Sequence, residues 1–90
     1  METISKHANN SEADFLLYTT HFCPYCDAAK RLLKEKGLTY QEFNFDLDDS
    51  IDRYTIVSET GHRTVPVVID IRGEVPHYVG GFNETMGYLG

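Results

Sequence analysis

The chain is poor in several features that define large classes of proteins. Its 90 residues include only two cysteines, no tryptophan, and 8 Lys and Arg against 14 Asp and Glu, a formal net charge of −6. This acidic balance argues against nucleic-acid binding, which needs clustered cations that contact phosphates. The chain also has no run of the ~20 apolar residues that span a membrane and no apolar segment typical of a secretory signal peptide. We therefore expect one small domain in a reducing, cytoplasmic setting.

The two cysteines lie close together in the segment Cys23-Pro24-Tyr25-Cys26, between an apolar run at 15–18 and a helical pattern. A disulfide across so short a loop removes little entropy from the unfolded chain and stabilises the fold only weakly. The pair is therefore better interpreted as a redox switch than as a structural staple.

Cys23 is predicted to be the reactive thiol of the pair. Pro24 suits the first position of a helix, which makes Cys23 the N-cap residue. The unpaired N–H groups and the positive end of the helix dipole then favour the thiolate. Cys26 lies one turn further along the same face, so it is suited to resolving a mixed disulfide that Cys23 has formed.

A structural zinc site is an alternative for the cysteines. Cys23 and Cys26 could supply half of the ligands, with His21 and His62 as the others. A second CxxC or an HxxxH motif, which such sites usually contain, is absent. We therefore expect no metal at this position. A passive disulfide is also disfavoured, because small secreted domains usually carry two or more bridges.

The acidic segment 46–52 resembles the start of a calcium loop only in part. Asp46, Asp48 and Ser50 alternate as ligands would, but Ile51 occupies the position at which such a loop requires Gly. Acidic residues that cap the following helix are the favoured interpretation.

Hydrophobic patterning predicts the element order β-α-β-α-β-β-α. The predicted strands cover 15–19, 40–45, 65–71 and 76–79, and the predicted helices cover 24–36, 50–60 and 83–89. A right-handed crossover makes the first two strands parallel. Ile51, Tyr54 and Val57 are predicted to form the buried side of the second helix. Residues 1–14 are polar and lack periodicity, so we expect a flexible N-terminal extension before a domain at 15–90.

A strand, a loop, a CxxC motif and a helix that open a β-α-β unit are typical of thioredoxin-like redox domains. From about Phe15 to its end, the chain resembles a dithiol glutaredoxin. The resemblance rests on three motifs in the family's order and spacing: Cys-Pro-Tyr-Cys at 23–26, Thr-Gly-His-Arg-Thr-Val-Pro at 60–66 and Gly-Gly-Phe-Asn-Glu at 80–84. It implies a thioredoxin-like α/β fold with a four-stranded mixed sheet flanked by helices.

The resemblance also implies a function, that of a glutathione-dependent thiol-disulfide oxidoreductase. Cys23 matches the family's nucleophile and Cys26 its resolving thiol. The implied partners are glutathione, as co-substrate, and disulfide-bearing or glutathionylated proteins such as ribonucleotide reductase. We expect a monomer that needs no metal, nucleic acid or membrane.

The resemblance further implies a glutathione groove. The residues that match its positions are Tyr25, Arg53, Thr64, Val65, Pro66, Gly81, Phe82 and Asn83. Pro66 is expected to follow a cis peptide bond, and the backbone of Val65 to pair with the cysteinyl unit of glutathione as an added strand does. Phe82 and Asn83 match the positions that bind the γ-glutamyl end.

The match is weakest at charged positions. Thr20 stands where many glutaredoxins have a Lys that pairs with the glycyl carboxylate of glutathione, and Asn83 stands where Asp is common. Arg53 is expected to compensate in part, and Arg63 and Lys30 are alternative cations.

Two other functions stay open at this point. The missing charges at positions 20 and 83 favour a redoxin of similar fold that thioredoxin reductase recharges. A carrier of a [2Fe-2S] cluster, held by two chains through Cys23 and bound glutathione, is the other, although Cys-Pro-Tyr-Cys suits that role less well than the motifs of the cluster-binding relatives.

Overall fold

Four strands form one mixed sheet in the computed structural model, which describes residues 1–90. The elements in chain order are α1 Glu2–Asn9, β1 Phe15–Thr19, α2 Pro24–Glu35, β2 Tyr40–Asn44, α3 Arg53–Thr60, β3 Val67–Asp70, β4 His77–Gly80 and α4 Phe82–Leu89. The strand order is β2-β1-β3-β4; β1 is parallel to β2, and the other two pairs are antiparallel. The predicted four-stranded mixed sheet is confirmed. No helix is both long enough and apolar enough to cross a membrane.

Strand β1 lies inside the sheet and is completely buried. Its side chains alternate between the two faces, as in any strand, so each face contributes to a separate apolar cluster. One cluster contains Ile4, Leu16, Tyr18, Ile51, Ile56, Val67 and Ile69. The other contains Phe15, Leu17, Leu33 and Val68. Burial on both faces explains why β1 has a continuous apolar sequence rather than an alternating one.

Helix α2 follows β1 and carries the two cysteines at its start. Cys23 is its N-cap residue, and Pro24 occupies the first helical position, as predicted. The buried side chains of Ala29 and Leu33 fasten the helix to the sheet. Gly37 follows the helix with a φ of +72°, a conformation that glycine adopts without a steric penalty. The start of α2 is therefore held near the carboxyl end of β1.

The sequence-based interpretation of residues 1–14 as a flexible extension is wrong, because helix α1 packs into the main core. Ile4 is completely buried there. Its backbone N–H donates a hydrogen bond to Glu59 Oε1 in α3 at 3.1 Å. On the next turn, His7 Nδ1 lies 2.7 Å from the hydroxyl oxygen of Tyr18 in β1. The helix is thus part of the domain.

Helix α3 begins at Arg53 rather than at residue 50. Its start is set by Asp52, whose carboxylate accepts a hydrogen bond from the backbone N–H of Tyr54 at 3.1 Å. Ile51 is buried as predicted, but it lies before the helix. Tyr54 is 76% exposed, so its predicted burial is wrong; Ile56 is the buried residue of this helix.

Candidate active site

Cys23 and Cys26 lie at the start of α2 and are joined by a disulfide. Their Cα atoms are 5.2 Å apart. Cys23 is partly exposed, whereas Cys26 is only 1% exposed. A sulfur atom of a substrate in solvent can therefore reach Cys23. Cys26 is accessible mainly to the sulfur of Cys23.

The N-terminus of helix α2 stabilises negative charge on Cys23. Its Sγ atom accepts a hydrogen bond from the backbone N–H of Cys26 at 3.1 Å. Pro24 has no N–H, and the remaining free N–H groups of the first turn sit at the positive end of the helix dipole. Both effects stabilise a thiolate more than a thiol, which makes Cys23 the better nucleophile of the two.

A groove with a volume of about 520 Å³ adjoins the CxxC segment. Its lining residues are Tyr25, Arg53, His62, Arg63, Thr64, Val65, Pro66, Gly81, Phe82, Asn83 and Glu84. The eight positions that the resemblance assigned to glutathione are all among them, although they come from four separate segments of the chain. The rings of Tyr25 and Phe82, with centroids 6.1 Å apart, connect the start of α2 to the start of α4. The structure brings these residues together; their role in binding stays a prediction.

Two unusual backbone conformations occur at or next to residues that line the groove. The Val65–Pro66 peptide bond is cis, as the resemblance implied. Gly80 has a φ of +132°, and a Cβ atom there would lie 2.8 Å from Glu84 Cγ, so a side chain does not fit. The N–H of Gly81 donates a hydrogen bond to Glu84 Oε1 at 2.7 Å. Glu84, which sequence reasoning did not assign to the site, thus fixes the turn that enters α4.

Two arginines give the groove its positive charge. Arg53 Nη2 donates a hydrogen bond to the carbonyl oxygen of Arg63 at 3.1 Å, which holds the start of α3 against the loop before β3. Planar guanidinium groups bind carboxylates well. Lys30 lies outside this groove, with its Nζ atom 2.7 Å from Glu42 Oε2. The structure therefore leaves Arg53 and Arg63 as the cations of the groove.

His62 lies in the groove wall, where both of its ring nitrogens have partners. Nδ1 lies 2.5 Å from the hydroxyl oxygen of Tyr78, and Nε2 lies 3.0 Å from Thr64 Oγ1. Burial lowers the pKa of His62, and the carboxylate of Glu84 opposes this shift without reversing it. The imidazole is thus neutral at pH 7 and braces the side chain of Thr64. Sequence reasoning considered His62 only as a zinc ligand; its place two residues before Thr64 was the available signal.

The structure contains no group of three or more His, Cys, Asp or Glu residues arranged to hold a metal ion. In the acidic segment, Asp48 instead accepts hydrogen bonds from the backbone N–H of Ser50 at 2.9 Å and from its hydroxyl at 2.6 Å. These contacts order the loop that precedes α3.

Sequence comparison relates the chain to one family. The sequence profile of the glutaredoxin family matches residues 15–75. Glutaredoxin 3 of Escherichia coli K12 is 38% identical over 56 residues, which cover 62% of this chain and 66% of that protein. A probable glutaredoxin of Synechocystis is 31% identical over 83 residues, which cover 91% of this chain and 72% of that protein. The match thus spans just under two thirds of the Escherichia coli protein and more of the cyanobacterial one.

Comparison with solved structures gives the same picture for the fold. A buckwheat glutaredoxin-glutathione complex superimposes with a TM-score of 0.79 at 24% identity, over 98% of this chain and 76% of that chain. Oxidized glutaredoxin 2 from Chlamydomonas reinhardtii superimposes with a TM-score of 0.66 at 25% identity, over 96% and 78%. The predicted thioredoxin-like α/β fold is confirmed.

Proposed function

The chain belongs to the glutaredoxin family of thiol-disulfide oxidoreductases, and on this basis we propose that glutathione is its co-substrate and that it reduces protein-glutathione mixed disulfides and protein disulfides. The observation that carries the proposal is the position of Cys23. This partly exposed N-cap residue lies two positions before Tyr25, which lines a groove that contains two arginines and every residue assigned to glutathione.

In the first proposed step, the Cys23 thiolate attacks the glutathionyl sulfur of a mixed disulfide. A new bond forms between Cys23 and glutathione as the bond between glutathione and the protein breaks. The electron pair leaves with the protein sulfur, which takes a proton from water. The protein cysteine is thereby reduced, and Cys23 now carries the glutathionyl group.

Two routes can then regenerate Cys23. A second glutathione thiolate can attack the glutathionyl sulfur, which releases the Cys23 thiolate and forms oxidised glutathione. Alternatively, Cys26 can attack Cys23, which releases reduced glutathione and forms the Cys23–Cys26 disulfide that the structure contains. Two further glutathione molecules reduce that disulfide. Protein disulfides, such as that of ribonucleotide reductase, use Cys26 in a similar way. Cys23 attacks one sulfur of the protein disulfide while the other leaves as a thiolate, and Cys26 then attacks Cys23, which releases the second protein thiolate and forms the Cys23–Cys26 disulfide.

The groove supports a specific orientation of glutathione. The glycyl carboxylate of glutathione can pair with the guanidinium of Arg53. The γ-glutamyl end of glutathione fits the start of α4, where Phe82 and Asn83 lie. The backbone of Val65, next to the cis peptide bond to Pro66, suits the cysteinyl unit, which can pair with it through main-chain hydrogen bonds. This orientation directs the glutathione sulfur towards Cys23. We propose the cytoplasm as the setting, since glutathione keeps thiols reduced there.

A coupled assay tests the proposal. Turnover of a glutathionylated substrate is measured with glutathione and glutathione reductase, and separately with thioredoxin reductase as the only electron source. We expect turnover in the first system and little in the second. Efficient turnover with thioredoxin reductase and none with glutathione would refute glutathione dependence. It would support the alternative that Thr20 and Asn83 favour, a redoxin that thioredoxin reductase recharges.

A further inference from the structure

A second depression, with a volume of about 650 Å³, also adjoins the reactive thiol. Cys23 itself lines it, and it shares no lining residue with the glutathione groove. The other residues that line it are Thr20, His21, Phe22, Asp27, Lys30, Glu42, Asn44, Leu47 and Asp48. They come from the loop before α2, the first turns of α2, strand β2 and the loop after it. We call this surface the β2-side depression.

Two large apolar side chains of the β2-side depression lie open to solvent. Phe22, which directly precedes Cys23, is 96% exposed, and Leu47 is 69% exposed. Phe22 also has a φ of +49°, in the left-handed region that bulky residues rarely adopt. The adjacent loop is held in place because the N–H of His21 donates a hydrogen bond to Asp46 Oδ2 at 2.8 Å. An aromatic ring is thus presented to solvent beside the nucleophile, where a docked chain could bury it.

The charge of the β2-side depression is opposite to that of the glutathione groove. Asp27, Glu42 and Asp48 supply three carboxylates, and Lys30 supplies one ammonium group. The ammonium group of Lys30 is already ion-paired, since its Nζ atom lies 2.7 Å from Glu42 Oε2 and 4.0 Å from Asp27 Oδ1. The glutathione groove has two guanidinium groups and one carboxylate. Cys23 therefore lines a negative surface, and Tyr25, two residues further along, lines a positive one.

We propose that the β2-side depression docks the polypeptide half of the substrate and favours sequences with Lys or Arg and an apolar residue near the reacting cysteine. The inference rests on the proposed function: anionic glutathione fits the positive groove, so the polypeptide attached to it needs a different surface beside Cys23. The excess of carboxylates attracts its basic residue, and Phe22 and Leu47 contact its apolar residue.

The test compares three glutathione mixed disulfides. Two are peptides that differ only in flanking residues, Lys and Leu in one and Glu and Leu in the other; the third is a small mixed disulfide without a peptide. With glutathione and glutathione reductase, we expect a kcat/KM about 3- to 10-fold higher for the Lys peptide at low salt, the range that one or two exposed ion pairs give. This preference should fall below about twofold near 1 M salt, where the Debye length is about 3 Å.

Variants then locate the preference. Asp27→Asn with Asp48→Asn keeps side-chain shape and should remove most of the discrimination between the two peptides. Phe22→Asn suits a positive φ and should lower the ratio of peptide turnover to small-disulfide turnover about 3- to 10-fold. Glu74→Gln and Val75→Ala, at exposed positions in the β3–β4 turn, are matched controls and should change none of the three rates.

The outcomes separate the two proposals. Equal kcat/KM for both peptides, with the small mixed disulfide turned over normally, would overturn the docking inference and leave the proposed function intact. A wild-type protein that turns over none of the three substrates would overturn both, because no glutathionyl half would then occupy the groove. A preference for the Lys peptide that persists in the double variant would also contradict the assignment to the β2-side depression.

Discussion

The Sγ atom of Cys23 accepts a hydrogen bond from the backbone N–H of Cys26 at 3.1 Å, and the two residues differ sharply in their access to solvent. Cys23 lies at the helix end where negative charge is stabilised, and Cys26 is buried one turn inside the helix. The structure therefore supports different roles for the two cysteines, in which Cys23 attacks the disulfide of a substrate and Cys26 attacks only Cys23.

Replacement of Cys26 with Ser should separate two activities. Reduction of glutathionylated substrates should persist within about threefold of the wild-type rate, since external glutathione can regenerate Cys23. Reduction of protein disulfides should fall at least tenfold, because the internal thiol is gone. Parallel assays on one glutathionylated peptide and one disulfide-bonded protein provide the measurement. A variant that loses both activities while remaining folded would show that the single-thiol route does not operate here.

Removal of the positive charge of Arg53 should weaken the use of glutathione. Arg53→Gln is expected to raise the KM for glutathione several-fold and to leave kcat nearly unchanged, because an exposed ion pair contributes on the order of 1 kcal/mol or less. Arg31→Gln removes the same charge at an exposed position of α2 outside the groove and serves as the matched control. Equal KM values for the two variants would place the glycyl carboxylate away from Arg53.

Truncation of Ile4 should destabilise the whole domain. Because this side chain is completely buried in the main core, Ile4→Ala should lower the free energy of unfolding by about 2–5 kcal/mol. Lys6→Ala, on the exposed side of the same helix, should change it by less than about 0.5 kcal/mol. Urea unfolding of both variants gives the comparison. A loss below about 1 kcal/mol for Ile4→Ala would mean that α1 is not docked in solution.

Stability should decrease as the pH falls from 7 through the mildly acidic range. Burial lowers the folded-state pKa values of His7 and His62 below the ordinary value of 6.5. Below pH 6.5 these two histidines are protonated in the unfolded chain but remain largely neutral in the folded chain. The free energy of unfolding therefore declines until the pH falls to the lower folded-state pKa values. Urea unfolding at pH 7.5, 6.5 and 5.5 measures the slope. His62→Gln should reduce this slope, and an unchanged slope would show that His62 does not contribute to it.

The sequence allowed prediction of those parts of the molecule that depend on local chemistry. Cys23 as N-cap followed from Pro24 and the helical pattern after it, and β1 followed from its apolar run. That Arg53 and Asn83 line one groove was predicted only through the family resemblance, since no local rule brings these two residues to one surface.

The features that were missed depend on contacts between distant segments. Helix α1 is amphipathic, but it is short and contributes only one fully buried residue, Ile4. The other buried residues of its cluster lie 12 or more positions further along the chain, so the local sequence does not show that the helix is docked. Tyr54 follows the spacing of a buried residue, but the cap at Asp52 starts the helix late and turns that ring to solvent. His62 has its role only because β4 places Tyr78 beside it.

The most direct test of the central claim is to identify which sulfur receives the glutathionyl group. The Cys26→Ser variant is mixed with an equimolar glutathionylated peptide in the absence of free glutathione, and the products are digested and analysed by mass spectrometry. We expect one glutathionyl group on Cys23, the appearance of free peptide thiol, and no adduct in a Cys23→Ser variant treated in the same way. Attachment of the peptide rather than glutathione to Cys23, or equal transfer to the Cys23→Ser variant, would contradict the account.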